Sequence, residues 1–107
     1  MDNFDEIKKE IYKTVEEREW DQFHSPDNLA KSISIEAGEL LECFQWNNKY
    51  NIEDIKEELA DVMIYCILLA RKLDLDINKI IKEKNEKSRE KYPIKKAKGN
   101  SIKYTKL

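Results

Sequence analysis

Nine consecutive residues, Val62-Met63-Ile64-Tyr65-Cys66-Ile67-Leu68-Leu69-Ala70, leave a helical segment with no polar side, and nothing else in the chain limits the fold so strongly. A helix that is apolar all the way round must be buried on several sides. The run is far short of the about 20 residues that span a bilayer, so the burial has to come from protein. A chain of 107 residues fits one compact domain with a limited core. It has too few other helices to surround this one, and a second subunit is expected to cover part of it. Only two glycines and two prolines interrupt the chain, which suits long helices joined by short loops.

The expected class is therefore all-α, a four-helix bundle with part of its third helix covered by a second subunit. Phe4, Ile7, Ile11 and Val15 recur at helical spacing and predict a first amphipathic helix from about residue 3 to 19. Trp20 falls roughly 160° from that stripe at about 100° per residue, so it either stacks on a ligand or covers a subunit contact. Ser25-Pro26-Asp27 reads as a helix start, with a capping serine, proline at the first position and an acid at the positive end. The second helix is expected from residue 26 to about 46, on an arc of Leu29, Ala30, Ile33, Ala37, Leu40, Leu41 and Phe44. Gly38 inside it costs about 1 kcal/mol relative to alanine, which predicts a close neighbouring helix or ligand. After a polar loop at 47–51, Asn51 caps a third helix from 52 to about 73, and Asp76 caps a fourth from 77 to about 91. Pro93 ends that helix. The domain is expected over 1–93, with 94–107 a basic tail whose composition favours a flexible end.

Two acid pairs stand out in this frame: Glu36 with Glu39, and Glu58 with Asp61. Residues three apart on a helix point the same way. Glu36 lies within about 60° of Ile33 and Leu40 on the wheel, whereas Glu42 falls well away from the arc and Glu39 sits at its edge beside Cys43. A carboxylate near the core must be paired, protonated or bound to a cation. The two pairs are read as facing each other around a metal ion, with salt bridges to lysines as the alternative. Four oxygen ligands without histidine or cysteine suit Mg²⁺ first, and Mn²⁺ or Ca²⁺ next. A di-iron or di-manganese bundle site would need Glu-x-x-His motifs, and none exists.

Mg²⁺ commonly shares its shell with substrate phosphates, so this pattern favours phosphate-ester hydrolysis. There is no P-loop glycine motif and no serine or cysteine triad, which favours attack by water over covalent catalysis. On the fourth helix the face of Ile77 and Ile81 continues as Lys84, Ser88 and Tyr92, with Lys91 at its edge. Either the helix leaves the core for solvent, or Lys84 and Lys91 reach toward phosphates. Glu58, Asp61 and Tyr65 share one side of the third helix, so the acids lead into an aromatic position.

The charged fraction is 39% and the formal net charge only -2; acids and bases read as interspersed, and nucleic acid is not an expected partner. The acidic N-terminus lacks the pattern of a signal peptide, so a cytoplasmic protein with no membrane partner is expected. His24, the single histidine, cannot supply a histidine-rich metal site and reads first as a structural hydrogen-bonding residue. Cys43 and Cys66 lack C-x-x-C spacing and read as buried small hydrophobes.

The acid pattern Glu-x-x-Glu, spacer, Glu-x-x-Asp resembles that of the all-α nucleoside triphosphate pyrophosphatases of the MazG-like superfamily, and within it the dCTP pyrophosphatase branch. Similarity extends to Arg18-Glu19-Trp20-Asp21-Gln22-Phe23-His24, Phe44-Gln45-Trp46, Lys91-Tyr92-Pro93 and Lys103-Tyr104-Thr105. The resemblance implies a MazG-like bundle and Mg²⁺-dependent hydrolysis (Mn²⁺ as a substitute) between the α- and β-phosphates of a nucleoside triphosphate, dCTP or modified deoxynucleotides included, in nucleotide-pool sanitation. It implies that Glu36, Glu39, Glu58 and Asp61 hold the metal and carry catalysis. Trp20, Trp46 and Tyr65 would line the base and sugar pocket, with His24 and Ser88 among the substrate-binding positions. Lys84, Lys91 and Tyr92 would stand closer to the phosphates. It also implies a homodimer or homotetramer with sites between subunits. Two positions depart from the branch's pattern, Ile11 where a histidine is expected and Ser88 where an asparagine is, so the preferred base stays open. The alternatives are dUTP or phosphoribosyl-ATP hydrolysis on the same scaffold, and a non-catalytic helical interaction module.

Overall fold

The computed structural model describes residues 3–46 and 49–107, and no strand occurs among them. The expected all-α class is what the chain adopts. Its four long helices are α1 (Phe4–Glu17), α2 (Pro26–Glu42), α3 (Ile52–Lys72) and α4 (Ile77–Lys91). A 3₁₀ turn, Trp20–Phe23, joins α1 to α2, and the tail holds a short α5 (Ile94–Ala97) and a second 3₁₀ turn, Tyr104–Lys106.

Side-chain caps fix where the helices begin. Asn3 accepts from Glu6 N at 2.9 Å, Ser25 from Asn28 N at 3.2 Å, Asn51 from Glu53 N at 2.9 Å and Asp76 from Lys79 N at 3.2 Å. Each satisfies one of the donors that a helix start leaves open. Helix α2 stops four residues before the expected end. Phe44 N and Gln45 N bond to Leu41 O and Glu42 O at 3.0 and 3.1 Å, three residues back, and this tightening ends the α-helix. Phe44 consequently leaves the apolar arc and packs on Tyr50, ring centroids 4.9 Å apart. Asn47 and Asn48 of the expected polar loop lie outside the described residues.

The chain divides into two units, one running to Leu75 and the other from Asp76. In the first, α2 and α3 form the main packed pair and α1 lies against α3. Val15, Leu29 and Leu68 make the core, with Ile11, Tyr12, Ile64, Tyr65 and Leu69 packed around them. Leu29 is only 1% exposed. Within the apolar run only Ile67, Leu68 and Ala70 are buried, while Met63 is 42% exposed. Gly38 does not meet the close neighbour expected of it, since a Cβ built there would touch nothing within 4 Å.

The second unit holds α4, with Ile77 buried at its start, and the tail. The flexible end expected from composition is locally ordered instead. Tyr104 packs edge-on against Tyr92 at 5.9 Å, and Lys91 Nζ stands 4.8 Å from the Tyr104 ring, a cation–π arrangement. Charge is not interspersed at this scale. Of the 22 acids 18 precede Asp76, whereas 11 of the 20 basic residues follow Leu75. No described helix is long and apolar enough to cross a membrane.

Candidate metal and ligand site

Packing of α2 on α3 brings the two acid pairs together. One carboxylate oxygen each from Glu36, Glu58 and Asp61 lies within 4.8 Å of the others. All three residues are half-buried, and Glu39 is the exposed member, its carboxyl adjoining those of Glu36 and Glu58. Glu36 Oε2 and Glu58 Oε2 are buried and have no hydrogen-bond partner. Burial, then the nearby Glu39 carboxyl, then the charges of Asp61 and Glu58 push the Glu36 carboxyl up to about 7. Burial, then the Glu39 carboxyl and the charge of Asp61, raises Glu58 as well. Like charges this close cannot all ionise in the absence of a counter-charge.

Buried carboxylate oxygens without donors, in a set made only of oxygens, fit a hard divalent cation. The ion pairs Lys8–Asp5, Lys56–Glu53, Arg71–Glu16, Lys72–Asp21 and Arg89–Glu86 all join residues outside this cluster. Cys43 lies beside this cluster, its Sγ donating to Glu39 O at 3.6 Å. Burial, followed by the charge of Glu58, pushes its thiol up. That disfavours the thiolate a nucleophilic cysteine needs. Both cysteines are half-buried, less enclosed than expected.

Asp61 belongs to the acid cluster and also to the rim of a cavity of about 260 Å³. Ile11, Thr14 and Val15 of α1, Trp20 and His24 of the connection, and Ile64, Tyr65 and Leu68 of α3 form the rest of its wall. Trp20 reaches it because α1 ends at Glu17 and Glu19 turns the chain with a left-handed backbone, φ 55° and ψ 34°. The 160° offset expected of a continuing helix therefore does not apply. Arg18 lies over the Trp20 ring at 5.7 Å. Thr14 and Leu68 carried no signal in the sequence beyond their helical positions.

Of the residues singled out from sequence, Glu36, Glu39, Glu58 and Asp61 converge, and Trp20, His24 and Tyr65 line the adjoining cavity. Trp46 stands apart, 84% exposed beyond the end of α2. Lys84, Ser88, Lys91 and Tyr92 belong to the second unit. There Ser88 Oγ donates to Lys84 O at 3.1 Å, while Lys84 and Ser88 share a shallow groove with Ile80, Ile81 and Asn85.

Two packed helices whose i, i+3 acid pairs meet in an oxygen-only cluster, beside an aromatic-walled cavity that Asp61 lines, define the class of this helical fold. The chain belongs to the MazG-like family, whose family model matches residues 31–107. It is 33% identical to dCTP pyrophosphatase 1 of Rattus norvegicus and 34% identical to that of Homo sapiens, over 96% of its own length in each case. It spans 66% of the length of each of these relatives. Among solved structures, a pyrophosphatase from Archaeoglobus fulgidus superposes with a TM-score of 0.76 at 35% identity, covering 87% of this chain and 94% of that one.

Proposed function

We propose that the protein is a nucleoside triphosphate pyrophosphohydrolase, converting a nucleoside triphosphate and water into a nucleoside monophosphate and pyrophosphate. The observation that carries this reading is the convergence of Glu36, Glu58 and Asp61 from α2 and α3, with Asp61 also lining an aromatic-walled cavity. Membership of the MazG-like family and likeness to relatives named as dCTP pyrophosphatases support it. The proposed cation is Mg²⁺, with Mn²⁺ as a substitute. When bound, it supplies charge neutralisation and Lewis acidity at the phosphoric anhydride.

Glu36, Glu58 and Asp61, the three that approach within 4.8 Å, are the proposed ligands, completed by Glu39 from its exposed side. Glu39 is also the acid best placed to orient the attacking water, because it adjoins Glu36 and Glu58 yet remains open to solvent. Water is the preferred nucleophile, as Cys43 is held in the thiol form. Trp20 and Tyr65 offer faces on which a base can stack, with His24 beside them. Trp46 and, from α4, Lys84, Ser88, Lys91 and Tyr92 remain proposed substrate contacts on the family resemblance. Residues 1–93 are the proposed catalytic region, and sanitation of the cytoplasmic nucleotide pool is the proposed role.

Pyrophosphate release from a panel of canonical and modified triphosphates, with and without Mg²⁺, tests the reading. Asp61→Asn is expected to abolish both turnover and metal binding. Glu39→Gln is expected to lower turnover by about two to three orders of magnitude, the scale of a lost water-positioning or general-base group, while calorimetry still detects the metal. Full activity in both variants rejects the assignment.

A further inference from the structure

The ligand cavity does not end at Leu68. A second cavity of about 310 Å³ adjoins it through the shared residues His24 and Leu68, and Asp21, Arg71 and Lys72 complete its wall. From the acid cluster, α3 presents Asp61, Tyr65 and Leu68 in order, and then Arg71 with Lys72. At about 1.5 Å per residue, Leu68 stands about 10 Å beyond Asp61 and Lys72 about 16 Å. If the phosphates of a nucleotide sit at Asp61, as the pyrophosphohydrolase reading has them, the far edge of its base meets the boundary between the cavities. In a pyrimidine that edge is position 4, and in a purine position 6. These are the positions at which keto and amino bases differ.

The far wall is rich in donors. Lys72 Nζ donates to Asp21 Oδ2 at 3.1 Å and to Asp21 O at 3.4 Å, which leaves its third proton for a ligand. Arg71 Nη2 donates to Glu16 Oε1 at 2.5 Å, and its guanidinium packs 4.2 Å from the Tyr12 ring centroid. That fixes the planar fork, whose Nη1 is buried with no partner. Glu16 and Asp21, each 59% exposed at the side chain, lie further toward solvent than Arg71 at 34% and Lys72 at 32%. The cations are thus the inner members of both pairs. On the α1 side, Thr14 gives its hydroxyl proton to Glu10 O at 3.0 Å, so it faces the first cavity with lone pairs only. His24, between the two cavities, has an imidazole of either character.

We infer that this wall selects keto bases, with Lys72 and Arg71 as the specificity-determining residues. Uracil or thymine offers O4 to the donors and N3–H to an acceptor such as Thr14. Cytosine presents the reverse pattern, turning its 4-amino group onto cations and leaving N3 without a proton to give. Hypoxanthine and guanine, keto at position 6, are favoured over adenine by the same logic. The inference rests on the pyrophosphohydrolase reading for the direction in which the nucleotide lies, and it sets this chain apart from relatives named for dCTP.

The deciding experiment compares kcat/KM for dUTP and dCTP, which differ in the base only at the 4-position and N3. Wild type is expected to favour dUTP by about tenfold or more, as one lost charge-assisted hydrogen bond would give. Lys72→Met moves the ratio toward one, Arg71 remaining in the wall, and Lys72→Arg, which keeps donors, restores it; thermal melting confirms that each variant is folded. Equal or dCTP-favouring kinetics in the wild type overturn the inference, and so does an unchanged ratio in folded Lys72→Met. Should no triphosphate be hydrolysed, the pyrophosphohydrolase reading fails. Calorimetric titration with dUMP and dCMP then decides the wall's preference without turnover, equal affinities counting against it.

Discussion

Glu36 is the residue at which the folded chain and the proposed reaction conflict. Its Oε2 is buried without a donor, and the carboxyl is pushed up to about 7 from an ordinary value of 4.5. Between those two values the folded protein holds a proton that the unfolded chain releases, so stability of the metal-free protein falls as pH rises through that window. Above about 7 the ionised, unpaired carboxylate imposes its full cost. In the proposed site a divalent cation replaces the proton, so the thermal shift on adding Mg²⁺ or Mn²⁺ is expected to be larger at about pH 8 than at about pH 6. Melting curves at both values, with and without metal, check this. A metal-free melting temperature that rises from pH 5 to 8 contradicts it. The position of Glu36 beside the core stripe was legible from helical spacing alone. That Asp61 would serve both the acid cluster and the cavity rim was not, because a wheel describes one helix and this property belongs to the gap between α1, α2 and α3.

Among the elements, the helix starts were readable because a cap is a local event. Ser25, Asn51 and Asp76 each bond to an amide two or three residues ahead. The ends were less readable. Cys43 and Phe44 continue the apolar period of α2, yet the backbone has already tightened into a turn. Glu19 adopts a left-handed conformation that glycine or asparagine would have signalled and glutamate does not. Without that turn Trp20 would point away from the cavity it lines. Gly38 is the opposite case, a glycine whose sequence position suggested crowding and whose surroundings are open. Gly38→Ala is therefore expected to stabilise the protein by about 0.5–1 kcal/mol, the helix-interior difference between the two residues. Chemical denaturation measures it. A loss of stability instead shows that a partner comes within reach of the added methyl group.

For the molecule as a whole, the apolar run of α3 demands more cover than the first unit supplies. Leu59 and Met63 lie one turn apart on the same side of α3, 50% and 42% exposed, while Ile67, one turn further, is buried. A stripe that passes from buried to exposed without becoming polar is a surface waiting for another. The proposed occupant is a second copy of the chain, which the sequence suggested from the number of helices available rather than from any single residue. What sequence could not supply was which part of the run stays open, since that depends on how α1 and α2 wrap around α3. Sedimentation of the wild type is accordingly expected to give a dimer or tetramer of the 12.8 kDa chain. Leu59→Glu with Met63→Glu places two charges on that stripe, where desolvating them would cost several kcal/mol. The double variant is expected to sediment as a monomer while its circular dichroism stays helical, because neither residue belongs to the Val15, Leu29 and Leu68 core. A monomeric wild type, or a double variant with unchanged mass, removes the second copy from this face and leaves the exposed stripe to a different partner.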